Sequence, residues 1–344
     1  MSQHKYEELA AKLRMDIENG LYYNGQRLPS ENALAAETGY SRQTIRQAFG
    51  VLESEGLADR IQGSGTYVRH RVTRRTQTHN IGVITTYIGE YIFPAILKGI
   101  DHVLAKNGYT AMLAATRNRV DNERKALTEL LNKPIDGLIV EGTKTALPNP
   151  NIDLYATFAS RGIPVVFING FYPDLDRPIY VVADDRSGGR MACEMLLGKG
   201  HRHIAGFFKS DDIQGHRRYS GYAEALRNAG CAIEDDHVLW YATENRNSLL
   251  SDGAARTLAG CTAAVCYNDE VALQVIKCLE RADRANEVEI VSFDNSTYAQ
   301  LSSPSFFSLS NPKEILGKIA AEKLLNILAG KVEAPAVLPW NLTE

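Results

Sequence analysis

The first periodic signal lies near the N-terminus, where Tyr6, Leu9, Ala10, Leu13 and Ile17 recur at the three- and four-residue spacing of one apolar helical face. Gly20 follows as a stop, so the spacing predicts a helix over residues 4–19. Leu28-Pro29-Ser30-Glu31 then offers an N-cap serine and an acidic residue suited to the positive end of a helix dipole, and Gly39 can take the left-handed conformation that ends a helix. A short second helix is expected between them. A third helix starts with Ser41 as its cap and turns Ile45, Ala48, Phe49 and Leu52 inward. Two helices joined by so tight a glycine-containing turn form a helix-turn-helix. Leu57–Ile61 and Thr66–Val68 flank the turn Gln62-Gly63-Ser64-Gly65 and predict a hairpin. Such a wing, with glycines at its tip, can approach a phosphate backbone closely.

From Ile81 the pattern changes to alternating strand and helix signals, which indicates a parallel sheet with helices on its faces. The strand-like runs are Ile81–Thr85, Ala111–Ala115, Gly137–Val140, Pro164–Asn169, Ile204–Phe208, Ala263–Cys266 and Glu289–Phe293. Open parallel sheets bind ligands beyond the carboxyl ends of their strands. The polar residues following these runs are therefore candidates: Glu90, Glu141, Asn169, Lys209, Asn268 with Asp269, and Asp294.

At 344 residues the chain exceeds one ordinary core, so two or three domains are expected, and 44% hydrophobic with 23% charged residues is a globular composition. No apolar run is long enough for a membrane span, and the polar start MSQHKYEELAAKLRMDIENG lacks a signal-peptide core, which predicts a cytoplasmic protein. Five cysteines without a C-x-x-C count against a disulfide or zinc framework. The net charge of −3 hides an asymmetry: residues 1–75 hold 11 Lys+Arg against 9 Asp+Glu, leaving 27 against 32 for the rest. Thr66–Asn80 carries Arg69, Arg71, Arg74 and Arg75 with no acid, as a solvated linker would; phosphate contact is a second reading. There is no phosphate-binding glycine loop, G-x-S-x-G elbow or H-E-x-x-H, and His201-x-His203 fits a structural role better than a metal site. No catalytic residue, metal or cofactor is expected.

Arg42, Gln43, Thr44, Arg46 and Gln47 cluster at the N-terminal end of the third helix, where a recognition helix meets base edges, and Arg and Gln can make bidentate base contacts. Alone, this face reads better as a solvated amphipathic surface. With the hairpin, however, LPSENALAAETGYSRQTIRQAFGVLESEGLADRIQGSGTYV resembles the GntR-type winged helix. That resemblance implies operator contacts from Arg42, Thr44 and Arg46, sequence reading by Gln43, a contact from Glu31 at the start of the second helix, and a wing tip of Gln62, Gly63 and Gly65.

A second resemblance covers the remaining chain. IFPAILKGIDHVLAKNGY, GIPVVFIN, DDRSGGRMACEMLLGKGHRHIAGF, RRYSGYAEAL, AAVCYNDEVALQVI and VSFDNS look like the LacI/GalR effector domain, which is related to periplasmic sugar-binding proteins. It implies ligand contacts from Glu90 with Phe93, Asn169, Arg218, Asn268, Asp294 and Asn311, with Glu141 and Lys209 added by their strand-end positions. Helix capping by Asn268 and Asp294, or surface ion pairing by Arg218, are the structural alternatives. The whole chain then reads as an α+β winged helix-turn-helix domain (1–70), a basic linker (71–80), and an α/β periplasmic-binding-protein-like domain of two doubly wound subdomains (81–344). The fusion resembles the arabinose-responsive repressors. That implies a homodimer on double-stranded operator DNA, released by a sugar effector, with L-arabinose expected; a regulator answering another sugar, or a sugar-binding protein of another role, is the alternative. The family resemblance places subdomain crossings near Asp184, Ser310 and Pro335. The linker lacks the hinge helix of typical LacI relatives, so minor-groove insertion is not carried over.

Overall fold

The computed structural model describes residues 3–18, 21–22, 26–61, 64–68, 77–284 and 286–342. The chain divides into two compact units, residues 1–78 with 153–164, and residues 79–152 with 165–344.

In the first unit, α1 (Gln3–Glu18), α2 (Glu31–Thr38) and α3 (Arg42–Ser54) precede an antiparallel hairpin of β1 (Ala58–Ile61) and β2 (Gly65–Val68). The expected caps set the helix-turn-helix. Ser30 Oγ accepts from Ala33 N, Gly39 sits at φ +69°, and Ser41 Oγ accepts from Thr44 N. Leu9, Leu13, Ile17, Ile45, Phe49 and Leu52 close one buried core with Ala58 and Val68 of the hairpin. Residues 26–28 extend the wing, since Val68 N donates to Gln26 O and Leu28 N to Thr66 O.

The second unit alternates β3 (Asn80–Thr85), α4 (Phe93–Lys106), β4 (Thr110–Ala115), α5 (Val120–Leu131) and β5 (Gly137–Val140). The chain then passes through α6 (Ile152–Ser160), which from Asp153 on is grouped with the first unit, and the second unit resumes with β6 (Val165–Ile168), β7 (Ile179–Ala183), α7 (Asp185–Gly198), β8 (Ile204–Lys209), α8 (Ile213–Asn228), β9 (Val238–Tyr241) and α9 (Arg246–Thr257). The remainder is β10 (Ala263–Cys266), α10 (Asp269–Arg281), β11 (Glu289–Phe293), α11 (Thr297–Leu301), β12 (Phe307–Leu309), α12 (Lys313–Leu328) and β13 (Ala336–Leu338).

These strands form two all-parallel sheets, ordered β13-β7-β6-β5-β3-β4 and β12-β11-β10-β8-β9, one per subdomain. The seven expected strands are present; β7, β9, β12 and β13 are additional. The first crossing follows β7 at Asp184, whose side chain caps α7, and the second falls at Ser310 between β12 and α12. The third lies beyond Pro335, not at it: β13 first adds to the sheet beside β7, and only then does Trp340 enter the core of the second subdomain. The three connections are tied by Asp184 N to Leu338 O (2.8 Å) and by reciprocal bonds between Ser310 and Asn341.

Candidate nucleic-acid interface and effector cleft

On α3, Arg42, Gln43 and Arg46 are exposed around a buried Ile45, so the polar edge of the recognition helix is open. Thr44 is partly buried, and its hydroxyl lies 2.8 Å from the Ser41 cap. Glu31 accepts from Arg46 Nε at 2.8 Å and from Arg60 Nη2 at 3.0 Å. It therefore links the helix-turn-helix to the wing and orients Arg46. Gly65, at φ +135°, also faces Arg27, whose Nε would lie 2.5 Å from any added Cβ. Packing within the wing thus accounts for this glycine alongside any approach to DNA. Gln62, Gly63 and the arginines of the linker lie outside the described residues.

The effector candidates gather at the carboxyl ends of both sheets, on strand ends and the loops after them, with Arg218 carried by α8 and Phe93 by the start of α4. From the first subdomain, Glu141 accepts from Thr86 N (2.7 Å) and from Asn169 Nδ2 (2.8 Å). Burial raises the Glu141 carboxyl despite these bonds, and Asp212 of the other subdomain adds to the rise. Asn169 holds φ +61°, a left-handed conformation that asparagine tolerates better than most residues. From the second subdomain, Lys209 pairs with Asp212 and lies 3.7 Å from Asp211. Burial would lower the ammonium pKa, but these two carboxylates and Glu141 more than offset it, so the net direction is upward.

Arg218 is almost wholly buried. Its Nε donates to Asp185 Oδ1 at 2.9 Å, its Nη1 donates to Tyr267 O, and the rings of Phe293, Tyr267 and Trp340 surround the guanidinium at 4.4, 4.7 and 4.9 Å. Burial pushes the Asp185 carboxyl up to about 6, against the pull of Arg218. Helix packing locates this pair, because α7 and α8 touch backbone to backbone. A Cβ on Gly189 would lie 2.0 Å from Arg218 O, and one on Gly221 would lie 1.9 Å from Arg186 O.

Asp294 is buried at φ +95° and accepts from the Tyr91 hydroxyl at 2.5 Å; its carbonyl accepts from Lys313. Asn268 caps α10 through Oδ1, which accepts from Val271 N, as its structural alternative requires. Asn311 Oδ1 and Asp185 Oδ2 are buried acceptors without a hydrogen-bond partner among the described residues. Glu90 is exposed, and Phe93 is buried with its ring edge-on to Tyr87 at 5.8 Å. The structure therefore assembles Glu141, Asn169, Lys209, Arg218, Asn268, Asp294 and Asn311 around strand ends. It places Phe93 in the core beneath the loop rather than as an open ring.

Sequence reasoning missed Asp185, Tyr91 and the Asp211–Asp212 pair. Asp185 had a signal in its position one residue beyond the first crossing. Asp211 and Asp212 directly follow the strand end at Lys209. Tyr91 had none beyond adjacency to Glu90.

Among the described residues no helix is long and apolar enough to cross a membrane. Residues 5–68 match the model of the gntR family of bacterial regulatory proteins, and residues 193–343 match a periplasmic binding protein-like domain. An arabinose metabolism transcriptional repressor from Halalkalibacterium halodurans is 35% identical over 94% of this chain and 89% of its own length. One from Geobacillus stearothermophilus is 36% identical over 94% and 91%. Among solved structures, the transcription regulator CcpA of Lactococcus lactis has a TM-score of 0.68 at 26% identity, covering 77% of this chain and 97% of that one.

Proposed function

The chain belongs to the family of arabinose metabolism transcriptional repressors, and from that premise we propose that it represses sugar-utilisation genes by holding operator DNA until a neutral pentose, L-arabinose, enters the effector cleft. It acts by binding and not by catalysis. Arg42, Gln43, Thr44 and Arg46 read and hold the operator, with Glu31 fixing Arg46 and the wing of Gln62, Gly63 and Gly65 meeting the backbone. Glu141 and Asn169 meet the sugar from one side of the cleft, and Lys209, Arg218, Asn268, Asp294 and Asn311 from the other. Glu90, exposed on the first loop, and the buried Phe93 beneath it shape the entrance.

The observation that carries a neutral effector is that the most buried cations are already paired with carboxylates, Lys209 with Asp212, Arg218 with Asp185 and Lys144 with Glu244, while Lys313 donates to the Asp294 carbonyl. Among the described residues, the uncommitted buried atoms include the acceptors Asp185 Oδ2, Asp211 Oδ1 and Asn311 Oδ1 and one N–H donor, Trp340 Nε1. Such a site suits hydroxyl groups, while a phosphate or carboxylate ligand would meet the carboxylates of Asp185, Asp211 and Asp294 beside cations that are mostly paired already.

A homodimer places two heads on operator half-sites. The groove along α4 and the edge strand β4, where Leu97, Tyr109 and Leu113 lie beside Lys98 and Asp101, supports self-association there. Coupling of about 1–3 kcal/mol between sugar and DNA suffices, shifting operator affinity roughly 5–150-fold. Gel-shift titration of the full chain with L-arabinose, D-xylose and a pentose phosphate tests the reading. Release by the neutral pentose alone supports it, and release by the phosphate alone overturns it.

A further inference from the structure

Tyr91 belongs to the first subdomain, on the loop between β3 and α4, yet its hydroxyl group bonds only to the second. It donates to Asp294 Oδ2 at 2.5 Å and accepts from Asp269 N at 3.3 Å. The ring stacks on Tyr298, with centroids 5.9 Å apart and planes at 21°. The backbone that delivers it has φ +55°, a conformation costly for a tyrosine unless its surroundings hold it. Burial, then Asp294 and Asp269, raise the phenol well above its ordinary value, so it keeps its proton and remains a donor to Asp294.

Both partners are themselves fixed. Asp269 accepts from Ser296 N, Ser296 Oγ and Ser308 Oγ at 2.6–2.7 Å, and Asp294 N donates to Leu309 O at 2.8 Å. The phenol thus joins two rigid strand ends across the cleft, and any opening of the subdomains must break it.

We infer that Tyr91 is a positioning residue for the effector site: it occupies Asp294 Oδ2, turns Oδ1 toward the sugar, and is made only when the subdomains are closed. This rests on the reading of Asp294 as a sugar contact. Closure and correct presentation of Asp294 are then one event, so the strap raises both affinity and discrimination between epimers. A hydrogen bond to a charged group is worth on the order of tenfold or more in an equilibrium constant.

The test is calorimetry of the full chain and of Tyr91→Phe with L-arabinose and its C4 epimer D-xylose. The phenylalanine keeps the ring stack and loses only the hydroxyl. L-arabinose binding should weaken about tenfold, and its preference over D-xylose should narrow, which a merely structural loss would not produce. An unchanged Kd overturns the inference, and a tighter Kd overturns it by showing that Tyr91 competes with the sugar. If the wild-type chain binds neither pentose, the function proposed above fails while the strap stays testable by small-angle scattering without sugar. There Tyr91→Phe should enlarge the radius of gyration, and an identical radius rejects the strap.

Discussion

Replacing Asp185 with alanine probes the most buried charge pair of the cleft. Asp185 and Arg218 expose 1% and 2% of their side chains, with Nε and Oδ1 2.9 Å apart. Removing one partner of such a pair costs about 3–5 kcal/mol, because the remaining charge has neither water nor a counter-ion. Arg218 would keep three aromatic faces and the Tyr267 carbonyl, so the lower end applies, about 3 kcal/mol. For a unit of this size about 2–4 °C accompanies each kcal/mol, which places the loss in the melting temperature at roughly 6–12 °C. Asp185→Asn should lose less, since an amide oxygen can still accept from the guanidinium.

The pair also sets a pH signature. Burial raises Asp185 from 3.8 to about 6, so the folded chain holds this proton at a pH where the unfolded chain has released it. Its contribution to stability is full below 3.8 and is lost as pH rises through about 6. The stability difference between the native chain and Asp185→Asn should fall with rising pH across that window, at up to about 1.4 kcal/mol per unit. An ionised Asp185 is thus costly to bury, yet its removal costs more, because Arg218 then loses its hydrogen-bonded counter-ion and keeps only the field of Asp294. Urea unfolding followed by circular dichroism at pH 4.5, 5.5 and 6.5 measures the trend. A difference that stays flat, or an alanine variant that melts within a degree or two of the native chain, would refute the account.

Other consequences are more direct. Arg46→Ala should weaken operator binding by about 1–3 kcal/mol and relax base preference, and unchanged affinity in a gel shift removes Arg46 from the interface. Asp294→Ala should cost the sugar about 1.5–3 kcal/mol while operator binding without sugar stays intact, giving a repressor that no longer responds; release at the native sugar concentration would place Asp294 outside the site. Gly189→Ala puts a methyl group 2.0 Å from Arg218 O. It should destabilise the second unit by about 1–3 kcal/mol and weaken sugar binding as α8 shifts, and a native melting temperature would show that α7 and α8 have more freedom than their packing implies.

What the sequence reveals divides according to the range of the interactions concerned. The helix-turn-helix is legible because Ser30, Gly39 and Ser41 act on backbone groups only a few residues away. Six of the seven expected strands are legible because parallel strands covered on both faces need continuous apolar runs, and the edge strand β4 because its six residues are nearly all apolar although partly exposed. The strands β9, β12 and β13 escape for the opposite reason, being short edge strands of three or four residues that leave side chains partly exposed. β7 escapes although it is internal, because no helix separates it from β6 and the alternation therefore skips it. The same logic governs the site. Glu141, Asn169, Lys209 and Asp294 can be found from strand ends, since a parallel sheet delivers its following residues to one edge. The partnerships that determine their chemistry connect Tyr91 to Asp294 and Asp185 to Arg218, and Glu141 to Lys209 through their charges, across wide stretches of chain. No periodicity encodes them, because they depend on the three crossings that bring the strand ends of two sheets together. A change in how those sheets meet could therefore alter sugar response while every local signal in the sequence stayed the same.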